Sequence, residues 1–294
     1  MTTLAKPNIR RIFVQDDGMV LVDCDLKGAD AQIVAWESEE AAFKQALRAG
    51  VKLHQQTAEA FYGERFTSAQ GDLGNKLTPK GRMYDDVKRA THGTNYGASA
   101  RTLSANLGWS RAEGERFRYW WLSVQHPGIG EWHRRTEHAL RTRRSVSNRF
   151  GYSIIYYDRV DGLLPEALAW QPQSTVAIVS FKSAIQIKRR FTFVQFLLQV
   201  HDSIVFQIPM RERGALGDIK RALDVEVPYA DPLVIGSKMA VSTKSWGDLV
   251  EFNEAKPDEW LEEERRRRGG SDNEVLSKLA QSVHGVDEGQ RVAG

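Results

Sequence analysis

The chain holds a single cysteine, Cys24, nine prolines and no long apolar run. One thiol excludes a disulfide framework and suits a reducing compartment. No window approaches the ~18 consecutive apolar residues of a membrane helix. The N-terminal Met-Thr-Thr-Leu-Ala-Lys-Pro-Asn also lacks the apolar centre of a signal peptide. A soluble protein, cytosolic in character, with no membrane partner is expected. A large charge of one sign is absent too, since the net charge is only +3. Its distribution is uneven, however. From Asn253 onward 7 Lys and Arg stand against 10 Asp and Glu, a balance of −3, whereas the preceding 252 residues hold 34 against 28, or +6.

What is present suffices for a substantial core. The 294 residues are 41% hydrophobic, enough for one large domain or two lobes. An extended entry, Lys6 to Asp17, leads into the strand-like run 18–25. Helix-like sequence follows at 31–36 and 39–47, broken by Gly50, and again at 51–62. Residues 71–81 read as a loop, and helices dominate from Arg82 to about Arg144. Arg149 to Asp158 has strand character around Gly151, and a helix is expected over 165–190. A hairpin at 194–208, a helix near 211–223 and a strand at 238–243 complete the body. Beyond Phe252 the run Glu262-Glu263-Glu264-Arg265-Arg266-Arg267-Arg268 has little core-forming content. The tail 253–294 therefore reads as disordered, with room for one short helix. Arg134, Arg135, Arg141, Arg143, Arg144 and Arg149 crowd one stretch, which suits either a phosphate-binding surface or a solvated helix face.

Three blocks carry chemistry. Asp25 ends the first strand and Asp202, 177 positions later, ends another apolar run. Strands finishing in a carboxylate put a hard oxygen ligand at a sheet rim, where Mg²⁺ and phosphates can reach it. If the two rims meet, the pair can hold two divalent ions for phosphoryl transfer. The Leu26 carbonyl adds a further oxygen, and Asp30 begins the following helix. Taken alone, strand-Asp-helix sequences occur in many folds. The second block, Lys88-Arg89-Ala90-Thr91-His92-Gly93-Thr94-Asn95-Tyr96-Gly97, places Lys88, His92 and Tyr96 at i, i+4 and i+8 on one helix stripe. That stripe suits phosphate, sugar and base, or an amphipathic surface helix. The third, Gln199-Val200-His201-Asp202-Ser203, is equally a polar turn between two apolar strands.

In this order the blocks resemble the family A DNA polymerases, the bacterial polymerase I and T7-like phage group. The resemblance runs from Pro7-Asn8 to about Trp246. It rests on the Asp25 strand end, Lys-x3-His-Gly-x2-Tyr-Gly from Lys88 to Gly97, and Gln173-x26-Val200-His201-Asp202. Lys52-Leu53-His54 lies at that family's usual distance from Asp25, and Val124-Gln125-His126-Pro127-Gly128-Ile129 resembles its Tyr-Pro-Gly segment.

The resemblance implies an α+β fold: an antiparallel-sheet palm (residues 1–252) with a helical fingers insertion at about 41–148, and no thumb or exonuclease domain. It implies two Mg²⁺ ions on Asp25, Asp202 and the Leu26 carbonyl. Lys88 would contact the incoming triphosphate, and Asp30, an Asp where relatives more often have Glu, would exclude the ribose 2′-hydroxyl. His92 falls at the sugar-contacting position, Tyr96 at the stacking tyrosine, followed by Gly97. Gln173 and His201 fall on the primer-template. Two departures stand out. Tyr84 replaces an arginine, leaving Arg82, Lys80 or Arg89 to make that phosphate contact. Ser203 replaces the acidic residue after the second aspartate, removing a carboxylate. The implied partners are primer-template DNA, dNTPs and a separate polypeptide supplying thumb and exonuclease functions, as in a split phage replicase. The implied activity is template-directed DNA synthesis. The rival is a non-catalytic polymerase-derived nucleic-acid-binding subunit. A metal-dependent nuclease leaves the Lys88 to Gly97 block without a task.

Overall fold

The computed structural model of the chain describes residues 8–267. A 3₁₀ turn, Ile9–Ile12, interrupts the expected extended entry and leads to strand β1 (Met19–Leu26). Helices α1 (Ala29–Glu37), α2 (Ala41–Arg48), α3 (Leu53–Tyr62), α4 (Glu64–Thr67) and α5 (Pro79–Asn95) follow. After them come α6 (Ala100–Leu107), α7 (Arg111–Tyr119), a π-helical stretch Trp120–Gln125 and α8 (Pro127–Arg143). The hairpin β2 (Ser145–Ser147) and β3 (Ser153–Ile155) precedes the long helix α9 (Leu164–Arg190). Then come β4 (Gln195–Val200), β5 (Ser203–Pro209), a 3₁₀ stretch Met210–Ala215 and α10 (Leu216–Arg221). A small ladder of β6 (Glu226–Val227) and β7 (Leu233–Val234) precedes β8 (Ser237–Ser242) and β9 (Val250–Glu251). The fold is α+β, and among the described residues no helix is long and apolar enough to cross a membrane.

The described chain divides into two compact units. One gathers residues up to Lys27, 180–224 and those from Gly236 onward. Its sheet is antiparallel throughout, in the order β4-β5-β1-β8-β9. Period-two alternation puts Val20, Val22 and Cys24 of β1 on one face with Ile204, Phe206 and Ile208 of β5. Ile187 from α9, Ile219 from α10 and Trp260 cover that face. Leu21 lies on the other face, beneath Val205 and Trp246. Because β1 is central and covered on both faces there, its first four residues, Met19 to Val22, are all apolar.

The second unit comprises Gly28–Val179 and Val225–Ile235. Its interior is aromatic. Phe43, Phe117 and Trp121 are fully buried, and the Phe117 and Trp121 rings stack with centroids 6.0 Å apart. Some of its buried polar groups are tied together. Trp121 Nε1 donates to Asn95 Oδ1 at 2.8 Å, and His133 Nε2 lies 2.9 Å from the Asn95 carbonyl. Buried Glu37 accepts from Tyr229 at 2.9 Å and faces Arg149 at 3.3 Å.

Other expectations need correction. Residues 149–158 form no continuous strand, because Asn148 Oδ1 accepts from the Phe150 and Tyr152 amides and Gly151 turns at φ +84°. The arginine cluster is largely engaged internally. Arg134 and Arg141 pair with Glu131 and Glu137 along α8, Arg135 and Arg149 meet Glu37, and Arg144 caps the carbonyls of Tyr156 and Tyr157. The tail from 253, where one short helix was allowed for, is helical over 259–267, and the rest of it lies outside the described residues. Trp260 is buried, and Glu264 accepts from the Thr243 amide at 2.9 Å and the Ser242 hydroxyl at 3.1 Å. Trp260 and Glu264 lie four positions apart on a single helix face, and Leu261 packing and the Arg267 bond to the Leu249 carbonyl add to the docking.

Two outcomes follow for stability. Trp260→Ala should cost about 3–5 kcal/mol, read as a lower urea midpoint, whereas a solvated tail would give almost none. His126, wedged between Phe43 and Trp121, and His133 are both held by burial at a pKa of about 4, below the usual 6.5. The unfolded chain takes up those protons first, so the stability they confer is complete above pH 6.5 and drains away toward pH 4. The urea midpoint should fall across that window, and less steeply in His126→Phe.

Candidate active site

Leu21, Asp23 and Asp25 alternate onto one face of β1. The β1–β5 ladder sets Asp25 across from Ser203, and Asp202 precedes Ser203 in the two-residue turn His201-Asp202 that joins β4 to β5. His201 sits at φ +56°, a region costly for a side-chain-bearing residue, and its carbonyl accepts from Gln199 Nε2 at 2.6 Å. Asp25 and Asp202, remote in sequence, thus stand side by side. Asp25 remains open to solvent at its strand end, yet its carboxyl is pushed above the usual range. Partial burial is the main cause, then the charges of Asp202 and Asp23, with Lys238 opposing. Lys238 is the β8 residue paired with Asp25.

Two repelling carboxylates with an all-oxygen donor set fit hard divalent cations. Leu26, the last residue of β1, is buried and paired with Ser237. Among the described residues no group of three His, Cys, Asp or Glu side chains could hold a metal by itself. A cation here would take its remaining ligands from water and substrate phosphates, as Mg²⁺ commonly does.

In the helical unit, α5 carries Tyr84, Lys88 and His92 on one stripe, and Tyr96 caps its end. Lys88 and His92 are exposed. Tyr84 packs edge-on against His54, with centroids 6.4 Å apart. Burial, then the Lys88 and His92 charges, pull the His54 imidazole below its ordinary pKa. A half-exposed patch that disfavours further positive charge suits an anion. At the end of the stripe, Asp30 lies 3.9 Å from His92 Nδ1, and the His92 and Tyr96 rings meet edge-on at 4.9 Å. Burial and the neighbouring Asp30 carboxylate push the Tyr96 phenol up. The turn after Tyr96 needs Gly97: at φ +75°, a Cβ there would lie 3.2 Å from Leu168 Cδ1. Gln173 is exposed on α9. Of the cations left to replace the missing arginine, Lys80 lies over the Phe66 ring and Arg89 donates to the Asn106 carbonyl, while Arg82 is exposed.

Reading the sequence missed Asp23, Lys238 and Trp246. Ser203 Oγ donates to Asp23 Oδ1, and Trp246 Nε1 donates to Asp23 Oδ2 at 2.7 Å. Period-two spacing from Asp25 was the available signal for Asp23. None pointed to Lys238 or Trp246, whose places depend on strand pairing.

Comparison with known proteins bears on the family and the fold. The family model for DNA polymerase family A matches residues 1–248. The DNA polymerase of Mycobacterium phage D29 is 27% identical over 242 residues, 82% of this chain and 37% of that protein. A thermostable DNA polymerase I of Thermus filiformis is 29% identical over 239 residues, 77% of this chain and 27% of that one. The chain therefore spans about a third of the length of the relatives it matches. A solved POL domain of Pol1 from M. smegmatis, in complex with DNA primer-template and dNTP, superposes with a TM-score of 0.68 at 20% identity. The match covers 81% of this chain and 42% of that one, and shows a shared fold.

A testable outcome attaches to the carboxylate pair. With its pKa raised, Asp25 destabilises the metal-free fold once the pH passes its ionisation, because the unfolded chain gives up that proton more readily. Asp25→Asn should therefore melt higher than the parent at neutral pH without metal, and lose this advantage near pH 3. An equal or lower melting temperature at neutral pH would contradict the repulsion.

Proposed function

This chain belongs to DNA polymerase family A, and we propose that it carries out template-directed DNA synthesis, transferring a nucleotide from a dNTP to a primer 3′-hydroxyl. The observation that carries the proposal is the juxtaposition of Asp25 and Asp202 by the β1–β5 register. In this reading Asp25, Asp202 and the Leu26 carbonyl hold two Mg²⁺ ions. When bound, such ions activate the attacking oxygen and support departure of pyrophosphate.

The chain's own residues do the rest. Lys88 neutralises triphosphate charge as it builds toward the transition state. Asp30 blocks a ribose 2′-hydroxyl and, with His92, defines the sugar side of the nucleotide. Tyr96 offers a ring face to a base, and Gly97 permits the turn that places it. Gln173 reads the primer-template edge, His201 touches the primer end, and Tyr84 stands beside the template path. In this reading a separate polypeptide supplies thumb and exonuclease functions, and adding it should lengthen each burst of extension.

Support comes from the shared fold and from both carboxylates being in place, which disfavours the non-catalytic alternative. Primer extension with Mg²⁺ and dNTPs, with and without added polymerase partners, tests the reading. Asp202→Ala should slow incorporation about a thousandfold, ~4 kcal/mol of barrier. Lys88→Ala should slow it about a hundredfold. Asp30→Ala should raise ribonucleotide incorporation about tenfold. Extension unchanged by Asp202→Ala, or none in any combination, would refute catalysis at this pair.

A further inference from the structure

We propose that Asp23 is a positioning residue for the divalent-cation site, a third carboxylate supplied by β1 behind Asp25 and Asp202. The inference rests on the reading of that pair as the cation ligands.

Three observations support it. First, Asp23 lies on the same face of β1 as Asp25, two residues back, and its charge is felt at Asp25. Second, both of its oxygens are committed: Oδ1 accepts from Ser203 and Oδ2 from Trp246 at 2.7 Å. Third, among the described residues no Lys, Arg or His forms an ion pair with it. A half-buried carboxylate without a countercharge is costly unless hydrogen-bonded, and here two neutral donors hold it in place.

The bond from Ser203 is the informative one. Ser203 follows Asp202 directly and lies across the ladder from Asp25. By anchoring that hydroxyl, Asp23 ties β1 to the first residue of β5 after the turn and so sets the spacing of the two ligands. It also adds negative potential behind them. Among the described residues no three His, Cys, Asp or Glu side chains come close enough to hold an ion, so the role assigned to Asp23 is positioning. Its effect passes through Ser203 and through the field. Where the resemblance implies a carboxylate at Ser203, one is supplied here from the adjacent strand, two residues along the ladder at Asp23.

Mn²⁺ titration of the full chain, followed by electron paramagnetic resonance, separates this inference from the reading beneath it. The parent should bind Mn²⁺ and Asp202→Ala should not; failure of either overturns the metal pair itself. Asp23→Asn, which keeps the shape and one acceptor, should bind Mn²⁺ about tenfold more weakly, the scale of outer-shell partners. Adding Ser203→Glu to Asp23→Asn returns a carboxylate to the site and should restore affinity to within about threefold, a coupling that independent sites would not show. Thermal melts of each variant confirm that the fold is retained. Parent-like affinity in Asp23→Asn, or a loss that Ser203→Glu fails to repair in a folded protein, would overturn the role given to Asp23.

Discussion

The antiparallel pairing of β1 with β5 places Asp25 across from Ser203, with Asp202 one residue earlier in the turn. The geometry of the sheet unit depends on that register. A slip by one residue would send Asp23 and Asp25 into the apolar face and bring Cys24 and Val22 to the turn. The register is held from both faces. Val20, Val22 and Cys24 are fixed in the core with Phe206 and Ile208, while Leu21 packs under Trp246. The core thus holds two like charges together, and the raised pKa of Asp25 reflects its partial burial first and then that repulsion. Sites that must bind cations often store repulsion in this way.

The helical unit solves a different problem, the rigid presentation of one helix stripe. Asn95, at the end of α5, is tied through its side chain to Trp121 and through its carbonyl to His133. Both partners sit in an aromatic interior that holds its histidines neutral. The last turn of α5, with His92 and then Tyr96, is therefore fixed from behind while Lys88 stays exposed. Asp30 at the start of α1 completes that group.

Much of this was legible in the sequence because the signals are local. The Lys88, His92, Tyr96 stripe needs only helical spacing, and the 195–209 hairpin needs only two apolar runs about a short polar turn. The family resemblance implied the antiparallel sheet that the structure contains. What escaped was non-local. Asp23 read as part of an apolar strand, and its partners Ser203 and Trp246 lie 180 and 223 residues away. The docked helix at 259–267 was hidden by its charge, since seven Glu and Arg residues mask the contribution of Trp260. The 149–158 stretch misled because Asn148 capping and Gly151 outweigh its strand propensity. Tertiary context overrides local preference where side chains bond to the backbone.

The central claim is that Asp25 and Asp202 form a repelling pair suited to divalent cations. Carbon-13 NMR of the Asp25 carboxyl, followed through a pH titration with and without saturating Mg²⁺, tests it most directly. The account predicts a midpoint above the ordinary aspartate range in the metal-free chain that drops sharply when Mg²⁺ is present. An ordinary midpoint that Mg²⁺ leaves unmoved would contradict it.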